Sequence, residues 1–466
     1  IWYVEGIAQF ESKKFGGDSW DTHRDMLLRM ATLENDLHTY TGMNSFSGKD
    51  GFHSEMVYNQ GYALLNYMEE TYGDERVRAL LDHRPIVNFK SSIKKAFGIS
   101  ADRVYDDWVA HLEEKYGAVA DSMDRVGERE GELIFDKGSY EFYPTYSPDG
   151  SKVAFITNNG EDYRLNKLVI MDLSTRRLDT VAEWNDQPFG LLSTRFSWAP
   201  DGKGLFFVRS VGGRWDLFSY DLERKKEKRV TIGLRGKDPS ISPGGTEVAF
   251  VGNRGGTNSL GILRIDSTRV RHLTQNNNGT QYFGPKWSPD GKRILFTVFR
   301  GEDRDIAIID PDATPRPKHR KRNKDKEVED DSLAVFPDSV AYASDAGFEA
   351  LVSSSADERD PVWLPDGSGF VFSSDRTGIF NLYSYDLVTG RQEQITNVIG
   401  GAFVPTVSPD GEEIIYAGFH AANYSLYRIQ RSAAVPVEVA EALPRDYRGI
   451  YTGEKLSDLY SIGRYG

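Results

Sequence analysis

The sequence predicts a mainly β protein: a six-bladed β-propeller of four-stranded antiparallel blades, preceded by a small α-helical domain. Three observations predict it. A Ser-Pro-Asp-Gly turn or a near copy occurs six times, runs of β-branched and aromatic residues follow every copy, and the first 117 residues carry helical periodicity instead.

The six copies are Ser147-Pro148-Asp149-Gly150, Ala199-Pro200-Asp201-Gly202, Ser242-Pro243-Gly244-Gly245, Ser288-Pro289-Asp290-Gly291, Leu364-Pro365-Asp366-Gly367 and Ser408-Pro409-Asp410-Gly411. Their prolines lie 52, 43, 46, 76 and 44 residues apart, and about 40–50 residues is the length of one four-stranded blade. Proline presets φ at the first corner of such a turn, Asp tolerates the second, and Gly takes the left-handed position after it. Asp149, Asp201, Asp290, Asp366 and Asp410 are therefore expected as structural turn residues whose carboxylates accept from backbone N–H groups. The competing role is a ligand or metal in the polar channel on which a propeller's inner strands converge.

A strand follows each turn, as in Lys152-Val-Ala-Phe-Ile156 and Glu413-Ile-Ile-Tyr-Ala417. A Gly- or Asn-rich corner leads to a third strand ending in Asp, as in Leu168-Val-Ile-Met-Asp172 and Leu382-Tyr-Ser-Tyr-Asp386, and Gln392-Glu-Gln-Ile-Thr396 reads as a fourth. A four-stranded meander cannot bury both faces alone, so the units are expected to stack into a ring over 133–440. The last blade's fourth strand is either local, at Val435–Val439, or supplied by Glu132–Phe135 as a closing strap. The 76-residue step holds an insertion, placed at 310–356 between blades four and five. It contains the basic run Arg316–Lys326 and the acidic run Glu327–Asp331, a segregated pattern that cannot bury a core.

Residues 1–117 read as helices. Ser19 is expected to cap one bearing Met26, Leu27, Met30 and Leu33, and His53–Tyr72 forms another that stops at Gly73. A short helix starts at Asp74, Phe89–Phe97 stops at Gly98, and Ser100 caps a last helix that stops at Gly117. A linker over 118–132 and an extended tail over 441–466 complete the expected organisation.

Net charge is −13, which argues against nucleic acid as a partner, because neutralising phosphates takes a basic surface. The absence of cysteine excludes disulfides, thiolate metal sites and cysteine nucleophiles. No run of about 18 apolar residues occurs, so no membrane-spanning helix is expected.

The repeated turns and strands resemble the TolB-like (WD40-like, PD40) six-bladed propeller family over about 133–440. The opening residues Trp2-Tyr3-Val4-Glu5-Gly6-Ile7-Ala8-Gln9-Phe10 resemble the W-x-x-E-G-x-A-x-[YF] element of gluzincin metallopeptidases of the peptidase-MA type. That second resemblance continues through Tyr58-Asn-Gln-Gly-Tyr62, Tyr72-Gly-Asp-Glu75, Ala96-Phe-Gly-Ile99 and Trp108-Val-Ala-His-Leu112. It implies Glu5 as a third zinc ligand, after two histidines of an upstream H-E-x-x-H helix, with the fourth position left open for activated water. Tyr58 is a weaker candidate, as a hydroxyl donor to the transition state, against ordinary aromatic packing. None of the eight histidines begins H-E-x-x-H, so the sequence as given lacks two zinc ligands and the catalytic base. A fragment of a longer zinc peptidase, a separately bound missing half and a degenerate scaffold each fit this. No G-x-S-x-G elbow occurs, which sets aside the hydrolases that also carry such propellers.

The expected function is a protein-binding or scaffolding propeller of the bacterial envelope, periplasmic or extracellular, that carries an incomplete, catalytically inactive metallopeptidase-like domain. The alternative is a fragment of a zinc metallopeptidase whose propeller gates or presents peptides. The expected partner is a protein or peptide at a propeller face, with the missing half of the helical domain as a second candidate. No cofactor is expected for the chain alone, and zinc for an intact parent. The purified chain should hold no stoichiometric zinc and cleave no peptide; elemental analysis finding tight zinc on Glu5 and nearby histidines would contradict this.

Overall fold

A computed structural model describes residues 1–13, 20–82, 89–161, 165–185, 195–254, 257–274, 279–300, 303–312 and 347–436. The chain divides into two compact units, one ending at Gly127 and the other starting at Glu128.

The first unit is helical: α1 (Trp2–Lys13), α2 (Thr22–Leu33), α3 (Gly51–Tyr72), α4 (Asp74–Asp82), α5 (Phe89–Phe97) and α6 (Ala101–Val126). Ser19 lies outside the described residues, and the N-cap of α2 is Asp21, whose carboxylate accepts from the Arg24 N–H at 2.8 Å. Helix α3 starts two residues before the expected His53, because Asp50 caps it by accepting from the His53 N–H. Gly117 does not end α6. The helix runs through it to Val126 and is capped at Gly127, so most of the expected 118–132 linker is helix. An interior glycine costs a helix only about 1 kcal/mol relative to alanine, and the neighbouring residues hold α6 down. The Tyr116 hydroxyl and the Lys115 ammonium both donate to Asp25 of α2, at 2.8 and 3.1 Å. Burial pulls the Asp25 carboxyl up, but Lys115 and Arg29 outweigh it and hold the group below the usual carboxylate range.

The core of this unit gathers Trp2, Phe10, Met30, Met56, Leu64, Leu65 and Trp108, all buried. Trp2 meets the rings of Phe89 and Tyr40 edge-on, at 5.5 and 5.9 Å. Helices α1 and α3 cross closely because each presents a glycine at the crossing. A Cβ on Gly6 would stand 2.5 Å from the Gly61 carbonyl carbon, and one on Gly61 2.5 Å from the Trp2 carbonyl oxygen.

The second unit is a six-bladed propeller. Strand β1 (Glu132–Phe135) precedes blade one, which comprises β2 (Glu141–Tyr146), β3 (Lys152–Thr157), β4 (Leu165–Asp172) and β5 (Leu178–Asn185). Blade two comprises β6 (Phe196–Trp198), β7 (Gly204–Val211), β8 (Arg214–Asp221) and β9 (Lys226–Arg229). Blade three holds β10 (Gly236–Ile241), β11 (Glu247–Arg254), β12 (Thr257–Arg264) and β13 (Val270–His272). Blade four holds β14 (Gln281–Trp287), β15 (Ile294–Phe299), β16 (Arg304–Ile309) and β17 (Glu349–Val352). In blade five are β18 (Glu358–Trp363), β19 (Gly369–Ser374), β20 (Asn381–Asp386) and β21 (Gln392–Gln394), and in blade six β22 (Ala402–Val407), β23 (Glu413–His420) and β24 (Asn423–Gln430).

The fourth strand of blade six is β1, antiparallel to β24 with Glu132 opposite Arg428. Of the two expected closures the strap is the one formed. The local segment does something else: β25 (Val435–Pro436) adds a fifth strand to blade five, beside β21. The insertion is also corrected. Because β17 completes blade four, the extra residues lie within that blade, between its third and fourth strands, rather than between blades four and five. The charged runs Arg316–Lys326 and Glu327–Asp331 and the expected tail at 441–466 lie outside the described residues. No helix among the described residues is long and apolar enough to cross a membrane.

The turns also meet one another around the ring. A Cβ on Gly202 would lie 3.8 Å from Pro148, and similar approaches, 3.7–3.9 Å, join Gly245 to Pro200, Gly291 to Pro243, Gly367 to Pro289 and Gly411 to Pro365. The sixth approach, 3.2 Å from Gly150 back to Pro409, returns from blade one to blade six. The turn glycines have φ between +69° and +80°, which suits glycine best. Between blades, apolar faces interdigitate: Ala249, Val251 and Leu260 of blade three pack with Ile294, Phe296 and Val298 of blade four.

Gly6→Ala is expected to destabilise the helical unit by about 2 kcal/mol or more, because the atoms in the way are backbone of a packed helix. Chemical denaturation followed by circular dichroism checks this; a loss below about 0.5 kcal/mol would show that the crossing yields easily.

Candidate functional site

Every blade's first strand faces the axis, and five of the six carry the same irregularity there. Tyr143, Asp238, Gly284, Asp360 and Val404 have φ of 57°, 53°, 53°, 56° and 45°, and each precedes a proline: Pro144, Pro239, Pro285, Pro361 and Pro405. The ladder to the second strand slips at these points, as between Phe142 and Thr145 or between Arg359 and Val362. Proline has no N–H to give the ladder, and the bulge removes the need for one. Positive φ at Tyr, Asp or Val costs on the order of 1–3 kcal/mol each and persists only where the surroundings over-determine it. The signal was in the sequence, since these prolines stand four residues before the turn prolines in five of the six repeats, but the repeat analysis did not use it. Blade two is the exception: Arg195-Phe196 stands where the others have their residue before proline.

The position two residues beyond the bulge stitches neighbouring blades. Thr406 Oγ1 accepts from the Tyr146 N–H, Ser197 Oγ from the Ile241 N–H and Ser240 Oγ from the Trp287 N–H, at 3.4, 3.1 and 3.2 Å. Blades four and five depart from this pattern with Lys286 and Val362, and Thr145 of blade one donates to the Tyr143 carbonyl of its own strand.

Arg195 and Lys286 meet at the axis. A small cavity of about 20 Å³, room for about one water molecule, is lined by Tyr143, Thr145, Arg195, Lys286, Asp360 and Val404 together with neighbouring prolines and Phe196. Five blades contribute to it. The Arg195 guanidinium donates to Asp360 through a short bond, lies 3.7 Å from Asp238 and stacks 4.7 Å over the Tyr143 ring. Burial opposes charge on Arg195, but Asp360, Tyr143 and Asp238 outweigh it and keep the group cationic. Asp238 also accepts from the Gly284 N–H at 3.0 Å. Burial and then Arg195 lower the Lys286 ammonium to about 8, only partly offset by Asp238 and Asp360. Burial raises the Tyr143 hydroxyl far above its ordinary value. Chemically this is a rigid, preorganised set of charges able to hold a small polar group.

Two more acids open the inner strands of blades one and five. Glu141 and Glu358 are fully buried, each with Oε2 lacking a hydrogen-bond partner. Burial raises Glu141 to about 8, although it accepts from the Gly138 N–H and Thr157 Oγ1, and burial raises Glu358 to about 7 despite Ser354 and Arg376.

The turn aspartates point into their own turns. Asp149 accepts from Ser147 Oγ and the Ser151 N–H, Asp201 from the Lys203 N–H, and Asp290 from Ser288 Oγ and the Lys292 N–H. Asp366 accepts from the Ser368 N–H, and Asp410 from Ser408 Oγ and the Glu412 N–H. In the helical unit, Glu5 on α1 and Tyr58 on α3 are brought together closely enough that, after burial, the Glu5 charge helps raise the Tyr58 hydroxyl. Tyr58 also stacks on Phe46 at 5.5 Å. Among the described residues no group of three or more His, Asp or Glu is arranged to hold a metal.

Residues 113–319 match the family described as the TolB beta propeller domain, PD40. The chain is 32% identical over 200 residues to the uncharacterized peptidase YuxL of Bacillus subtilis, covering 39% of this chain and 29% of that protein. It is 25% identical over 268 residues to the Tol-Pal system protein TolB of Francisella tularensis, covering 56% of this chain and 53% of that one. The chain thus spans about half or less of these curated relatives. Among solved structures, TolB from Acinetobacter baumannii aligns with a TM-score of 0.44 and 18% identity, over 73% of this chain and 71% of that one.

Because the folded-state value of Glu141 lies above its ordinary one, the folded protein keeps a proton that the unfolded chain releases. Stability should therefore fall as pH rises from about 4.5 through about 8. Glu141→Gln should lessen that fall by up to about 4 kcal/mol, read from denaturation at mildly acidic and at alkaline pH; parallel profiles for variant and wild type would contradict it.

Proposed function

We propose, from a propeller that is TolB-like and of the PD40 type, that this chain is a binding scaffold of the bacterial envelope, periplasmic or extracellular, which takes a protein or peptide at the axial end of its ring. The observation that carries the reading is the axial cavity. Charged side chains from separate blades line it: Asp360 sits at a strained bulge, Lys286 stands two residues beyond the bulge at Gly284, and Arg195 is held by Asp360 and Asp238, an arrangement suited to a recognition surface on a rigid scaffold. A matched relative is a component of the Tol-Pal system by its printed name, which supports a protein partner. The helical unit joins the scaffold as a gluzincin-like half-domain without its H-E-x-x-H helix, and it performs no zinc chemistry by itself.

Hydrogen–deuterium exchange tests the reading. With a pool of random hexapeptides at millimolar concentration, exchange should slow across residues 143–146, 195–198, 286–287 and 362–363. Unchanged exchange at all four segments, or protection only on the outer strands, would sink it.

One observation favours a second reading, that the intact protein is a zinc metallopeptidase whose propeller gates or presents peptides. Glu5 and Tyr58 approach each other on facing helices, as a ligand and a hydroxyl donor would. The coding sequence immediately upstream decides it. An H-E-x-x-H there, with zinc in the intact protein and loss of cleavage in Glu5→Gln, supports the reading; its absence ends it.

A further inference from the structure

We propose that the helical unit carries a docking site of its own: a groove between the end of α2 and the flank of α6 that takes a basic segment of a protein partner. The segment presents an apolar side chain with a Lys or Arg on either side of it. This site lies within the helical unit and is independent of the axial one.

The groove measures about 370 Å³, within the ~300–1,000 Å³ of an ordinary ligand cleft. Leu37, Val109, Ala110 and the Tyr105 ring give it apolar surface, and Asp106 and Glu113 line it as well. Its hydroxyls are spent inside the unit. Tyr105 donates to the His38 carbonyl, and Thr32 Oγ1 donates to the Leu28 carbonyl at 2.7 Å. The two carboxylates and the Asn35 amide are the polar groups left for a ligand.

The sign of the charge selects the partner. Among the described residues no Lys or Arg lines the groove, and neither Asp106 nor Glu113 has an ion pair. The two basic side chains on this stretch of α6 are committed elsewhere: Arg103 to Asp107 at 2.8 Å and Lys115 to Asp25 at 3.1 Å. Helix α2 ends at the groove with no basic residue in its last turn, so the negative end of its dipole adds to the same sign. Residues 1–127 together hold 21 Asp and Glu against 14 Lys and Arg, a balance that draws a cationic partner toward this unit.

Spacing gives the form of the segment. Asp106 and Glu113 stand seven residues apart on α6, about 10 Å along its axis, with Val109 and Ala110 between them. An extended peptide sets residues i, i+2 and i+4 on one face. A Lys-x-Leu-x-Lys segment therefore lays its leucine on Val109 and Ala110 and reaches one carboxylate with each ammonium. The apolar stems of the two lysines cover the groove while their heads stay at the water boundary. Exposed ion pairs alone contribute little, and the apolar surface between them makes the difference.

Calorimetry on the full chain with three acetylated pentapeptide amides tests the site: Lys-Ser-Leu-Ser-Lys, Glu-Ser-Leu-Ser-Glu and Lys-Ser-Ser-Ser-Lys. The first should bind at least ~10-fold more tightly than the second and at least ~3-fold more tightly than the third, and added salt should weaken it. Asp106→Asn combined with Glu113→Gln should remove the preference over the acidic peptide. Ala110→Trp, which fills the groove, should weaken the first peptide at least ~3-fold. All three positions are exposed on α6, and unchanged thermal unfolding would show that the variants act on binding. No binding of the first peptide, equal binding of the first and either other, or a preference that survives the double variant overturns the site. Self-association of the wild-type chain that the double variant abolishes would assign the groove to a second copy and overturn it too. Hydrogen exchange on the propeller's inner strands reads the axial site separately, so either site can fail alone.

Discussion

A ring of blades depends on the contact between its last blade and its first, and here a four-residue strand supplies the closing strand pairing. Glu132–Phe135 pair with the outer edge of β24, Glu132 bonds Arg428 at 2.6 Å, and Ile134 and Phe135 pack among Val153 and Phe155 of blade one and Ile415 and Leu426 of blade six. Bringing such distant segments together costs entropy that grows only with the logarithm of the loop length. Burying two large apolar side chains returns about 1.5–3 kcal/mol each, and the ladder hydrogen bonds add to that. The six turns then close on one another, each glycine against the preceding blade's proline, so that no blade can tilt without moving its neighbours.

That rigidity explains why the axis tolerates what an ordinary core would not. Four residues other than glycine sit at positive φ directly before proline, and buried charges lie within reach of one another. Neither would persist in a scaffold able to relax. Strain and polarity are concentrated where the blades converge, while the interblade layers of Val, Ile, Leu and Phe remain apolar.

Local signals were legible in the sequence. A proline-centred turn with flanking strands identifies a blade wherever it occurs, so the number of blades followed from Pro148 through Pro409. Helix ends were legible where the cap is a strong residue followed by a clean periodic face, as at Ser100 and Phe89–Phe97. They were not at Gly117, where contacts of Lys115 and Tyr116 with Asp25 on a distant helix override a weak local preference. The closing strand and the place of the insertion depend on pairings between remote segments, which no window of sequence contains. The axial constellation was hidden for the same reason: Arg195, Lys286 and Asp360 are far apart in the chain and become neighbours only when the ring closes. Their one local trace is the extra proline four residues before the turn proline in five of the six repeats. Glu5 was singled out by its motif alone, and the nearness of Tyr58 follows from the glycine crossing of α1 and α3.

The position of the closing strap has a consequence for how the protein is made. Strand β1 is the first propeller strand to leave the ribosome, and its partner β24 follows 295 residues later, counted from Phe135 to Gln430 at the end of each strand. At ~5–20 residues per second the strap waits roughly 15–60 s with its edge unpaired. Blades one to five can each form a meander in that interval, but none can be locked in place. A nascent chain in this state offers an open apolar strand to any neighbouring chain, and the emergence of β24 is the moment at which that liability ends.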